Sequence, residues 1–177
     1  TIDFNPFRYG CVVEDKFYCP RPELERQLAG FIRSGQNVVV HGERRMGKTS
    51  LINAVVRGMR GWRMAYVDLL HVQTVGDVCR RVVSAVRALE KKSSFFEKAL
   101  KMIPRLRPVM KIDPVTGEFG FSLDARASDD PYAIEEVMDM LSGIAAKGRT
   151  VIVFDEFQDV GNLAEAQTVL AFMRGKI

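Results

Sequence analysis

The sequence predicts an α/β fold, an α/β/α sandwich around a mostly parallel sheet. Three observations carry that prediction. Apolar β-branched runs alternate with stretches of helical periodicity along most of the chain. Gly42-Glu43-Arg44-Arg45-Met46-Gly47-Lys48-Thr49 fits G-x-x-x-x-G-K-[ST] at a strand-to-helix junction. Thr150 to Glu156 (TVIVFDE) is an apolar run of the kind buried on both faces in parallel sheets, and it ends in two carboxylates.

The elements follow in order. Asn5-Pro6-Phe7 reads as a turn and an apolar anchor. Arg21-Pro22-Glu23 reads as a helix start, with proline in the first turn and acids where the dipole favours them. Leu24, Leu28, Phe31 and Ile32 recur at helical spacing, as a buried face would. Gln36 to His41 (QNVVVH) reads as a short buried strand. The helix from Ser50 onward has the stripe Leu51, Ile52, Val55, Val56 and Met59 and stops near Gly58 to Gly61. Trp62 to Leu69 reads as a second strand and Val75 to Leu89 as an amphipathic helix. Ser93-Ser94 ends that helix or caps another one to about Ile103, before Pro104 and Pro108. Val109 to Ile112 and Glu118 to Leu123 flank the turn cluster Asp113 to Gly117, a β-hairpin inserted outside the main sheet. Asp129-Asp130-Pro131 caps a helix to about Lys147 that points Ile134, Val137, Met138, Leu141 and Ile144 inward. The acidic strand follows, and Leu163 to Arg174 is the last helix. The expected division is a leading segment, 1–35, packing on a nucleotide-binding core, 36–177, with an insertion at about 93–128.

The glycine-rich junction has the chemistry of a phosphate cradle. Its glycines let backbone N–H groups approach phosphates closely, Lys48 can reach the β/γ-phosphates, and the Thr49 hydroxyl can hold Mg²⁺. The helix N-terminus adds partial positive charge. At the acidic strand, Asp155 is expected to help hold Mg²⁺ and Glu156 to polarise the water that attacks the γ-phosphate. A strand ending in a solvated acidic turn is common; paired with an upstream cradle it is specific. The chain has no N-K-x-D element for guanine selection, which argues against a GTPase.

Composition sets the bounds. The chain has 177 residues, enough for one domain with a real core, and hydrophobic residues make up 47%, as in a globular protein. No apolar run approaches the roughly 18 residues that span a membrane. No signal peptide is visible at the N-terminus. Cys11, Cys19 and Cys79 lack C-x-x-C spacing, which favours reduced thiols and a cytoplasmic location over a disulfide or zinc framework. Net charge is +4, a mild bias that permits nucleic-acid contact without demanding it. Much of the excess lies between Arg80 and Lys111 and reads as a solvated face, with no interleaved aromatics for base stacking.

Four segments together carry a family resemblance: NPFRYG at Asn5 to Gly10, FYCPRPEL at Phe17 to Leu24, GERRMGKTSL at Gly42 to Leu51, and VFDEFQDV at Val153 to Val160. The chain resembles the archaeal-type ATPase domains of the AAA+ class of P-loop NTPases, related to STAND and archaeal initiator ATPases. The hairpin stretch Ile112 to Leu123 resembles one found in that family.

The resemblance implies an ATP-binding module that hydrolyses Mg-ATP when complete, with the loop as Walker A and the acidic strand as Walker B. It adds Ser50 to the loop residues from Gly42 to Thr49, and places Pro6, Phe7, Tyr9 and Arg21 near the adenine and ribose. Gln158 would help orient the acidic pair. Arg44 and Arg45 read first as solvated loop charges, with nucleotide or subunit contact as the lesser reading. In that family the sheet order is 5-1-4-3-2, and a sensor strand, a further strand and a helical lid come after the acidic strand. None can be placed before Ile177. The sequence therefore reads as the N-terminal part of a longer protein, with a gap between its two site strands or a pairing of Val38–Val40 with Val151–Val153.

Three functions follow as expectations. One is an ATP-driven switch or motor module, with ATP, self-association or a C-terminal effector domain as partners. Another is a nucleic-acid-associated initiator-like ATPase. The third is a non-catalytic nucleotide-binding fragment.

Overall fold

A computed structural model describes residues 18–43, 45–89 and 132–176, with the backbone of 108–112 and 119–123. The expected helix from Ser93 to Ile103, the cap at 129–131 and the hairpin turn at 113–117 lie outside the described residues. The chain divides into two compact units, Thr1–Arg63 and Met64–Ile177.

In the first unit, α1 (Pro22–Arg33) opens with proline in its first turn and Glu23 and Glu25 beside the positive end of its dipole. The Glu25 carboxylate accepts the Arg21 N–H at 2.7 Å and the Tyr18 hydroxyl at 2.8 Å. Partial burial, then the bond to Glu25, pushes the Tyr18 phenol up to about 12. At the other end Gly35 takes φ 68°. Its N–H reaches Ile32 O and that of Gln36 reaches Phe31 O, the two bonds of a Schellman stop.

Helix α2 (Lys48–Gly58) packs on α1. Their shared core is Leu28, Leu51, Val55 and Met59, with Ala29, Ile32, Val40, Ile52 and Trp62 against it. Leu24 and Phe31 were expected inward but are 49% and 44% exposed. On the helix they fall to one side of Leu28, while Ala29 and Ile32 fall to the other, and the core engages that second side.

Residues 36–41 are a correction. The apolar run reads as a strand, but it joins no ladder among the described residues. Val39 is 91% exposed. A strand exists only where its N–H and C=O groups find a neighbour, and hydrophobicity alone does not provide one.

In the second unit, β1 (Arg63–Asp68) and β4 (Thr150–Asp155) form a parallel pair. Ala65 and Val67 on β1, Leu69 just after it, and Ile152 and Phe154 on β4 face one core together with α3 (Val75–Leu89) and α4 (Tyr132–Ala145). All five α4 residues expected inward are at most 2% exposed. Thr74 and Asp77 start α3 with a capping box. Thr74 Oγ1 accepts the Asp77 N–H at 3.1 Å, and Asp77 Oδ2 accepts the Thr74 N–H at 3.0 Å.

After β4 comes a 3-10 segment, Phe157–Asn162, that the sequence reading did not contain. It delays the last helix, α5 (Ala166–Lys176), by burying Val160 and Leu163 in the connection. Val169 and Met173 of α5 then complete the core. The expected hairpin is present as β2 (Pro108–Ile112) antiparallel to β3 (Phe119–Leu123), with Met110 opposite Phe121.

Candidate functional site

The glycine-rich loop turns on two left-handed residues, Arg45 at φ 67° and Gly47 at φ 75°. Gly47 is the residue that requires glycine. It takes this conformation directly before α2, and a Cβ there would come within 3.3 Å of an Arg21 guanidinium nitrogen. With no side chain at Gly47 and no acid in the first turn of α2, nothing there offsets the positive helix end with a negative side chain. Lys48 folds back over the loop, and its ammonium donates to the carbonyls of Gly42 and Glu43, both at 3.0 Å.

Arg21 reaches the same loop from the start of α1, where its guanidinium donates to the Met46 carbonyl at 2.6 Å. The family resemblance alone placed Arg21 near the nucleotide; this contact ties it to the loop from Gly42 to Thr49. Thr49 and Ser50 lie in the first turn of α2, and Ser50 is buried. Glu43 and Met46 are exposed. Arg44, Pro6, Phe7 and Tyr9 lie outside the described residues.

The acidic residues occupy the second unit. Asp155 is the last residue of β4. Its Oδ1 accepts the Glu156 N–H at 3.0 Å, and its Oδ2 accepts the Tyr66 hydroxyl. Glu156 leaves the strand in a left-handed conformation, φ 51°, which costs a non-glycine residue about 1 kcal/mol. The Gln158 amide donates to the Glu156 carboxylate, and Asp159 N–H to the Glu156 carbonyl. Asp159 in turn accepts the His71 N–H at 2.7 Å, tying the segment after β4 to the loop after β1. Sequence reading missed Tyr66, because a tyrosine inside a strand reads as an ordinary β-former.

Among the described residues no cluster of histidine, cysteine and acids makes a preformed metal cage. Cys19 and Cys79 are free thiols. Burial pushes the Cys79 thiol up to about 12, so it is chemically quiet. No helix among the described residues is long and apolar enough to cross a membrane.

An α/β core carrying G-x-x-x-x-G-K-[ST] as the turn into a helix defines the P-loop NTPase class. The chain belongs to the AAA domain family, whose model matches residues 32–175. It is thus a nucleotide-binding protein of the P-loop class. No curated protein and no solved structure matches the chain.

Proposed function

We propose that the chain is the ATP-binding module of an AAA-type ATPase of the archaeal-type branch, acting as an ATP-driven switch or motor. The observation that carries this reading is the loop from Gly42 to Thr49. A left-handed glycine opens α2, no acid stands at the helix start, and a lysine is held at the loop by two carbonyls. These residues fit a nucleoside triphosphate. A side chain at Gly47 would intrude on the cradle, and the Lys48 ammonium needs only to exchange carbonyl partners for phosphate oxygens.

In this reading Lys48 supplies a point charge to the β/γ-phosphates, and the loop from Gly42 to Ser50 binds them through its backbone. Arg21 holds the loop from the side. Pro6, Phe7 and Tyr9 serve the adenine and ribose. Thr49 and Asp155 would hold Mg²⁺, which when bound neutralises charge on the phosphate oxygens. Glu156 orients the attacking water and takes its proton, and Gln158 sets the direction of that carboxylate.

Calorimetric titration with ATP, with and without Mg²⁺, tests the reading. Wild type should bind, and Lys48→Ala should lose measurable binding while its circular dichroism stays unchanged. Equal affinity in the two proteins would remove Lys48 and the loop from this role.

A further inference from the structure

The β1–β4 pair has two faces, and the alternation of side chains separates them. Ala65, Val67, Leu69, Ile152 and Phe154 face the α3/α4 core. Tyr66 and Asp155 therefore share the other face. There the Tyr66 hydroxyl crosses between neighbouring strands to donate to Asp155 Oδ2. Tyr66 was not among the residues that the motif or the spacing could assign.

We propose that Tyr66 is a positioning residue that fixes the Asp155 carboxylate for the metal side of the site. The inference rests on the reading of Asp155 as a Mg²⁺-holding group. The Leu69 N–H donates to the Asp155 carbonyl at 3.0 Å, which in a parallel ladder sets Asp155 opposite Asp68, the last residue of β1. The offset between Tyr66 and Asp68 is two residues, about 7 Å of strand rise. A serine or threonine hydroxyl at position 66 would fall short; a phenol leaning along the strand covers the distance with the help of the aspartate side chain.

The Glu156 N–H holds Oδ1 at the same time. Each carboxylate oxygen thus has its own donor, one from the next backbone amide and one from the neighbouring strand. Two donors on two oxygens fix the plane of the carboxylate. Metal-holding carboxylates use such outer partners to keep their orientation, and loss of a partner costs about 10–100-fold in metal affinity. The neighbouring strand thereby contributes to the metal side without touching the metal.

The experiment measures the Mg²⁺ concentration that half-saturates the Mg²⁺-dependent part of ATP binding. It compares wild type, Tyr66→Phe, Asp155→Asn and the double variant, with ATP affinity in EDTA as the control. Tyr66→Phe keeps the ring and removes only the hydroxyl. It should raise the Mg²⁺ requirement about 10-fold and leave ATP affinity in EDTA unchanged. Tyr66→Met, a second side chain without a hydroxyl, should give the same shift and serves where Tyr66→Phe fails to fold. The double variant should be no worse than Asp155→Asn, since Tyr66 acts through Asp155. An unchanged Mg²⁺ requirement in Tyr66→Phe beside a shifted one in Asp155→Asn overturns the role of Tyr66 and leaves that of Asp155 standing. No shift in either variant overturns both. Additive shifts in the double variant overturn the claim that Tyr66 works through Asp155.

Discussion

The two units that carry the candidate site residues are built on unequal cores. In the second, β4 lies against helices whose Val78, Val82, Val86, Ile134, Val137 and Ile144 are 0% exposed. In the first, among the described residues, the loop from Gly42 to Thr49 is carried by two helices that share Leu28, Leu51, Val55 and Met59 as a buried centre. The segment leading into the loop leaves Val39 91% exposed. Apolar burial stabilises by about 25 cal/mol per Å², so among the described residues the smaller centre contributes less. The contrast separates two ways of placing a functional group. Asp155 is fixed by packing and by the neighbouring strand. Lys48 is fixed by local hydrogen bonds to two carbonyls. Under the proposed function a phosphate replaces them, and that unit then has more to gain from ligand binding.

The largest expected effect tests the packed side. Glu156→Gln should slow ATP turnover by about 10²–10⁴-fold, with ATP affinity in calorimetry unchanged. Phosphate release at the wild-type rate would take Glu156 out of the catalytic role.

The next compares the cores directly. Leu141→Ala should cost about 2–5 kcal/mol in urea unfolding. Leu51→Ala should cost less, because its smaller, more exposed surroundings can collapse around the lost side chain. An equal or reversed order would break the comparison.

How much of this was legible follows from the same contrast. Helix α3 was expected and observed over Val75–Leu89, and the five inward residues of α4 were all identified. One-sided burial imposes helical periodicity, and the sequence records it. The glycine requirement at Gly47 was legible too, since a left-handed turn into a helix admits little else. Residues 36–41 misled because apolar character reports burial preference and says nothing of a pairing partner. Glu156 takes its left-handed turn without being glycine or asparagine, and Gly161 and Asn162 come only at the far end of the 3-10 segment, so nothing at the turn itself announces it. Tyr66 was silent because its role depends on a residue 89 positions away.

The smallest expected effect concerns how α3 is launched. Thr74→Ala should cost about 1 kcal/mol, the usual loss of an N-cap hydroxyl. Partial burial raises the Asp77 carboxyl, but bonds from the Gln73 and Thr74 amides, the Arg80 guanidinium and the Thr74 hydroxyl outweigh it and hold it below its ordinary 3.8. A carboxyl lowered by folding stabilises above its unfolded value and loses that contribution as pH falls through the folded one. Asp77→Asn should therefore flatten the acid limb of the stability curve below about pH 4. An unchanged acid limb would show that Asp77 titrates alike in the folded and unfolded chain.

Hydrogen exchange with and without Mg-ATP tests the central claim most directly, because it reads both units in one experiment. Amides of 45–51 should exchange more slowly with Mg-ATP in wild type and show no such slowing in Lys48→Ala, while the buried amides of α4 stay as they were. Loop amides indifferent to Mg-ATP, or equally protected in Lys48→Ala, would contradict the assignment of this loop as the phosphate-binding element.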